Sequence, residues 1–233
     1  MENSLIDNST HAGIQHFVLK LREMVLDREE NRGLVVGFGE GHEAEYLQCH
    51  TRTKIVGIDI SSRIPKGKKL SFCPVLANAM NLPFKASTFN FVSYQHVIEH
   101  VQNPILTLIE INRILIPEGV LYIGTPNRHR ILGYIGAYNT SLREKIRYNM
   151  GDLLKRLFGK FHNELGAHAG FSKEELEKML IPHFIDLEWL IDDYLSFKYK
   201  NRLPNLLLNI LRIPFILDVA APSIYAICHK RSG

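Results

Sequence analysis

The stretch Leu34-Val35-Val36-Gly37-Phe38-Gly39-Glu40-Gly41-His42 reads as an apolar strand that runs into a glycine turn and opens a helix. Glycines at alternate positions let the backbone turn tightly and leave bare main chain for a ligand to lie against. A dinucleotide fingerprint would place its third glycine at position 42, where this chain has His42, so the spacing argues against a nicotinamide cofactor. Eighteen residues beyond Gly41, Asp59 ends the apolar run Ile55-Val56-Gly57-Ile58. An ionised carboxylate at a strand tip offers acceptor oxygens only, which suits the two hydroxyls of a ribose. Loop, strand and acid together point to a nucleotide-like cofactor.

Outward from this segment, short apolar runs recur between turn signals: Leu34–Phe38, Lys54–Ile58, Cys73–Leu76, Phe89–Tyr94 and Val120–Gly124, with Phe184–Ile191 and Ile224–Cys228 near the end. Runs of this length with helical patterns between them predict a doubly wound α/β fold, a mostly parallel seven-stranded sheet with helices on both faces. Ile14, Phe17, Val18, Leu21, Met24 and Val25 recur at helical spacing and predict an amphipathic helix over 11–29. Helices are also expected over 42–49, over 104–115 with Asn103 as N-cap and Pro104 in the first turn, and over 172–180, where Ser172 and Glu175 make a capping box. The chain of 233 residues suits one domain. Its expected parts are an N-terminal helix (11–30), a cofactor-binding core (33–127), and substrate or lid elaborations (128–170 and 195–222).

The composition, 45% hydrophobic and 22% charged, is that of a globular protein. The net charge of +4 is unevenly spread. Arg128, Arg130, Arg143, Lys145, Arg147, Lys155, Arg156 and Lys160 face only Glu144 and Asp152, which favours an anionic partner or a solvated helix face. Cys49, Cys73 and Cys228 are odd in number and form no CxxC pair, so neither a disulfide framework nor a zinc knuckle is expected. No export signal or membrane-spanning run is read, and a cytoplasmic location is expected. The apolar, proline-broken stretch 203–217, preceded by Lys198, Lys200 and Arg202, reads as a helical lid packed on the core or in a dimer. Its alternative is peripheral membrane contact.

Four segments carry a family likeness: Val35–Gly41; Gly57–Ser61; Asn78-Ala79-Met80-Asn81-Leu82-Pro83-Phe84 with Phe89–Val92; and Glu99-His100-Val101 through Pro117-Glu118-Gly119 to Thr125-Pro126-Asn127. Together they resemble the class I S-adenosylmethionine-dependent methyltransferases, especially the group named after ubiquinone and menaquinone biosynthesis. The resemblance implies S-adenosylmethionine as cofactor, held by Gly37, Phe38, Gly39 and Gly41 beside its methionine part, Asp59 on the ribose, Ile60 packed on adenine, and Asn78 and Ala79 at the adenine edge. Gln95 would stand near the methionine moiety. The family pattern has acids where this chain has Val35, Asn78 and Asn90. Losing the first removes roughly one charge-assisted hydrogen bond, ~1.5–3 kcal/mol, unless a carboxylate such as Glu40 compensates.

His96, Glu99 and His100 stand at i, i+3 and i+4, sharing one face of a helical turn. The spacing also matches an inverted zinc-peptidase motif, but Asn103-Pro104 restarts the helix at once, against the long helix such a motif needs. In the resembling quinone O-methyltransferases the same turn carries a Glu where this chain has His96, and no metal is assigned here. The three are expected to be catalytic, an imidazole serving as general base because it titrates near neutrality; the alternative is that Glu99 caps or pairs a neighbouring element. Asn127, Arg128, His129, Arg130, Tyr134, Tyr138, His162 and His168 are candidates to line an acceptor pocket. The expected reaction is O-methylation of a small-molecule, quinone-like, lipid-linked or glycan acceptor. A catalytically weak binding module and a nucleic-acid methyltransferase are the alternatives, nucleic acid being disfavoured by the small charge excess.

Overall fold

Successive residues of the first strand point to opposite faces of the sheet, and the side-chain alternation shows that both faces are covered. Leu34 and Val36 enter one buried cluster, with Val92, Tyr94, Leu121 and Ile123; Val35 enters the other, with Phe91, Val120 and Tyr122. The computed structural model describes residues 12–24, 30–61, 64, 67, 69–131, 133, 140–163, 168–199 and 203–231.

The elements follow in the order α1 (Ala12–Glu23), β1 (Arg32–Val36), α2 (His42–His50), β2 (Lys54–Asp59), β3 (Cys73–Leu76), β4 (Phe89–Gln95), a 3₁₀ turn (Ile98–His100), α3 (Pro104–Ile114), β5 (Leu115–Pro126), α4 (Leu142–Leu157), α5 (Lys173–Leu180), β6 (Phe184–Trp189), α6 (Ile191–Tyr199), α7 (Asn205–Leu211), α8 (Pro214–Ala220) and β7 (Ser223–Lys230). The sheet order is β3-β2-β1-β4-β5-β7-β6, parallel except for β7, which runs antiparallel to both neighbours. The expected seven-stranded, doubly wound architecture is therefore present. Helices α3 and α5 supply Leu108, Ile111, Leu176 and Leu180 to one face, while α1, α2 and α6 supply Phe17, Leu21, Leu47 and Tyr194 to the other.

The predicted caps form as read. Asn103 accepts from the Leu106 amide at 3.1 Å, and Ser172 and Glu175 make the reciprocal capping box of α5. Several boundaries differ; the last two strands run Phe184–Trp189 and Ser223–Lys230, with Ile191 starting α6. Strand β1 stops at Val36 rather than Phe38, because the turn begins at Gly37 with φ +79. Strand β5 starts at Leu115, before the Pro117-Glu118-Gly119 turn signal, and absorbs those residues in a register shift opposite Phe89 and Phe91. The N-terminal helix ends at Glu23, and the rest of the range expected for it, 25–29, lies outside the described residues.

Between β1 and β4 the order of the strands reverses, with β2 and β3 laid down on one side and β5 on the other. At such a switch point the loops leaving the carboxyl ends of neighbouring strands diverge and open a crevice, where ligands of open α/β sheets bind.

Candidate active site

A cleft of about 490 Å³ occupies this position. Its walls come from the segments that follow β1 to β4: Gly37 and Gly39; Asp59, Ile60 and Ser61; Asn78, Ala79 and Met80; His96, Val97 and His100. The volume falls within the range of small-molecule and cofactor sites, about 300–1,000 Å³.

The glycine loop is held to the second strand by its own amides. Gly37 and Phe38 both donate to the Ile58 carbonyl, at 2.7 and 3.0 Å, and Gly39 donates to Asp59 Oδ2 at 2.8 Å. A Cβ on Gly37 would stand 2.3 Å from Val97 Cγ2, so neither its φ of +79 nor its surroundings admit a side chain. The other Asp59 oxygen accepts the Ser61 amide at 3.0 Å. A carboxylate has about four lone-pair sites, so one backbone donor on each oxygen leaves acceptor capacity facing the cleft. Ile60, 79% exposed, presents a bare aliphatic face at the rim. Asn78 also lines the cleft, but its side-chain oxygen accepts the Met80 amide at 2.9 Å, closing its own turn.

Phe38, Gly41 and Gln95 do not line the cleft. Phe38 buries its ring against Phe72, and Gly41 caps α2 with that same ring behind it. Gln95 turns away from the position expected for it: its amide donates to Glu43 Oε1 at 2.9 Å and to Ser93 Oγ at 3.0 Å. Ser93 also hydrogen-bonds Glu43, and Ser93 is the register partner of Val35. A carboxylate from the first turn of α2 thus stands beside the register partner of Val35. Part of Glu43 remains exposed, yet its carboxyl end is enclosed; burial pushes its pKa up to about 7, against the pull of the Ser93 and Gln95 hydrogen bonds. Glu40, the residue expected to compensate, instead meets His42 in solvent at 3.2 Å. Asn90 accepts the Arg32 amide at the far end of the sheet.

The wall after β4 is built of side chains. Glu99 is buried, and its Oε1 lies 3.9 Å from both His96 Nδ1 and His100 Nε2, while Thr125 donates to Oε2 at 3.3 Å. Burial raises the Glu99 pKa to about 7, opposed by its hydrogen bonds and by Arg130. His96 has φ +54, an uncommon conformation for a residue with a side chain, and its amide is anchored on the Gly124 carbonyl at 2.7 Å. The His96 ring reaches Tyr225 Oη through Nε2 at 3.0 Å. His168 packs edge-on against His100, ring centroids 4.7 Å apart. Two imidazoles facing the cleft over one buried carboxylate can accept and pass on a proton. Among the described residues, no three His, Cys, Asp or Glu side chains are arranged to hold a metal.

Among the described residues, His168 alone of the other acceptor-pocket candidates reaches this wall; Asn127 is buried and donates to the Asp218 and Ala221 carbonyls. Arg128 bonds Glu175 and the Gly170 carbonyl, His129 pairs with Asp218 at 2.9 Å, and Arg130 donates to Asp152 and to the carbonyls of Asn127, His168 and Ala169. His162 is exposed, and Tyr134 and Tyr138 lie outside the described residues, as do Lys200 and Arg202. Arg156 donates to the Arg128 and Arg130 carbonyls, so three of the basic residues in this segment point inward and hold backbone together. Glu43, Thr125 and Tyr225 were not anticipated as members of the site. Only Glu43 had a local signal, as a carboxylate in the helix that opens from the glycine turn.

Residues 34–123 match the methyltransferase domain family, less than half of the chain. An uncharacterized protein of Methanocaldococcus jannaschii is 31% identical over 105 residues, 45% of this chain and 49% of that protein. The mitochondrial arginine-hydroxylase NDUFAF5 of Danio rerio is 31% identical over 128 residues, 52% of this chain and 40% of that one. The chain thus spans about half the length of the curated relatives it matches. Among solved structures, phosphoethanolamine N-methyltransferase 2 of Haemonchus contortus, in complex with S-adenosyl-L-methionine, superposes with a TM-score of 0.57 at 16% identity, covering 94% of this chain and 52% of that one. Reversed strand order, glycine loop and matched segment agree: residues 34–123 are similar to the methyltransferase domain family, and the chain has the fold of the class I methyltransferases.

Proposed function

We propose that this chain is an S-adenosylmethionine-dependent methyltransferase acting on a hydroxyl of a small, quinone-like, lipid-linked or glycan acceptor. The observation that carries the reading is the pairing, in one cleft, of the Asp59-anchored glycine loop with the His96, Glu99, His100 wall. The donor set fits the cofactor: acceptor capacity on Asp59 for a ribose, the bare Ile60 face for adenine, and open main chain at Gly37 and Gly39 for the methionine part. Gln95 serves through Glu43, as a positioning residue, rather than by direct contact.

The bound cofactor supplies an electrophilic methyl whose departure leaves a neutral thioether, so little covalent chemistry falls to the protein. The chain's residues orient the acceptor, exclude water and take one proton. His100, whose side chain is half exposed to the cleft, is the general base; Glu99 behind it orients the ring and stabilises the imidazolium that forms. His96 is held by Tyr225 and carries the second imidazole. The same reading puts the protein in the cytoplasm; among the described residues, no helix is long and apolar enough to cross a membrane.

A second reading has a specific motive. Val35 departs from the family pattern, and one relative is named an arginine-hydroxylase, so the fold can be kept without methyl transfer. Calorimetry with S-adenosylmethionine and S-adenosylhomocysteine, followed by a labelled-methyl assay on extracted lipids, quinols and glycans, separates the two. Asp59→Ala is expected to weaken cofactor binding at least tenfold, the ~1.5–3 kcal/mol of a hydrogen bond to a charged group. No binding of either compound, or unchanged affinity in Asp59→Ala, overturns the proposal. Binding without methyl release favours the second reading.

A further inference from the structure

Helix α4 is amphipathic in the inverted sense. Three of its polar residues face the protein: Asn149 donates to the Gly133 carbonyl at 3.0 Å and accepts the Gly133 amide at 2.7 Å, Asp152 pairs with Arg130 at 3.2 Å, and Arg156 caps two carbonyls. At 3.6 residues per turn, Leu142, Ile146, Met150, Leu153, Leu154 and Leu157 fall within an arc of about 120°. All six are exposed, Leu142 and Leu157 by more than 70%. A helix that merely packed on its own domain would turn this stripe inward.

Positive charge accompanies the stripe. Arg143 stands within its arc and Arg147 at its edge away from the body, with Lys155 further round and Lys160 just past the helix, while Glu144 is the acidic residue left on the exposed faces. The 127–131 segment that anchors α4 is gripped from its other side by the end of α8, through His129 with Asp218 and the Ile131 amide on the Val219 carbonyl. There the apolar stretch expected to pack as a lid is instead largely exposed: only Leu208 of α7 is buried and no residue of α8 is, with Leu206, Ile213 and Phe215 in solvent.

We infer that α4, together with the α7–α8 segment, is a membrane-interfacial surface that lies on an anionic bilayer. An apolar stripe flanked by lysine and arginine is the pattern by which a helix settles at the boundary of headgroups and acyl chains. The positive charge favours an anionic lipid surface over a second copy of the same positively charged stripe. The anchoring segment follows β5 and its Arg130 holds the His168 carbonyl, so the surface adjoins the wall of the cleft that carries His100. The inference rests on α4 and its flanks and does not depend on the reaction.

The test is co-sedimentation of the full chain with sucrose-loaded vesicles of phosphatidylcholine alone or with phosphatidylglycerol, alongside sedimentation velocity without lipid. The chain should pellet with the anionic vesicles, and less so as salt rises. Ile146→Glu/Leu153→Glu should lower partitioning at least about tenfold, with an unchanged melting curve because both positions are exposed. Arg143→Glu/Arg147→Glu should lower binding to phosphatidylglycerol vesicles by at least about tenfold, at roughly fivefold per positive charge removed. If the first variant fails to fold, the second and the salt titration decide. Wild type left in the supernatant with both vesicle types, or variants that bind as it does, would overturn the inference. So would a wild-type dimer that Ile146→Glu/Leu153→Glu dissociates while no vesicle binding is seen.

Discussion

The two walls of the cleft are made of different materials. On the side of β1 to β3 the surface combines bare main chain at Gly37 and Gly39 with a single carboxylate and the Ile60 face, and Asp59 ties the loop to the strand that bears it. On the side of β4 the surface is side chains, two imidazoles over a buried acid, assembled with Thr125, His168 and Tyr225 from three further parts of the chain. A backbone wall recognises shape and tolerates few substitutions at its turns. A side-chain wall sets proton chemistry and can be altered residue by residue with the fold intact.

The sharpest way to break this contrast is His100→Ala. If the β4 wall performs the proton transfer, kcat should fall on the order of 10²–10⁴ while calorimetric affinity for the cofactor is unchanged. A loss below tenfold would remove the imidazole from the reaction. Next in size is a pair on the opposite wall. Gly37→Ala meets both a left-handed backbone and Val97, and should cost about 2–3 kcal/mol of stability and weaken cofactor binding. Gly39→Ala, with φ +53 but nothing within 4 Å of the added Cβ, should cost about 1 kcal/mol. Equal urea midpoints for the two would show that the Val97 contact does not matter.

A further effect is a pH dependence of stability. Glu99 has its folded pKa raised from 4.5 to about 7, so the folded state binds the extra proton. Its contribution is fully present below pH ~4.5 and is lost as pH rises through ~7, on the order of 3 kcal/mol. Glu99→Gln should therefore gain on wild type between pH 5 and pH 8 in denaturant titrations. Parallel stability curves for the two would mean that the buried carboxyl is not raised.

Much of the nucleotide wall was legible because its determinants are local. Glycine spacing, the period-two strands and the caps at Asn103 and Ser172 act within a few residues, and the structure realises each of them. The strand that begins at Leu115 was hidden because Pro117 to Gly119 carries turn chemistry that a register shift absorbs. The replacement of the acid absent from position 35 was sought at Glu40, inside the loop. The carboxylate that reaches Ser93, the register partner of Val35, is instead that of Glu43, 50 residues away, while Glu40 faces water.

The sequence by itself determined the sheet, the glycine turn and the acid at the end of β2, since propensity and burial pattern are properties of short segments. Only the tertiary structure decided that Gln95 turns from the cleft to Glu43, that His96 meets Tyr225 across 129 positions, and that α4 shows its apolar face to the outside. Those outcomes depend on which distant surfaces meet. A helix with one polar and one apolar stripe reads the same along the chain whichever way it is turned, and here three polar side chains bonded to the 128–133 backbone and to Arg130 fix the direction.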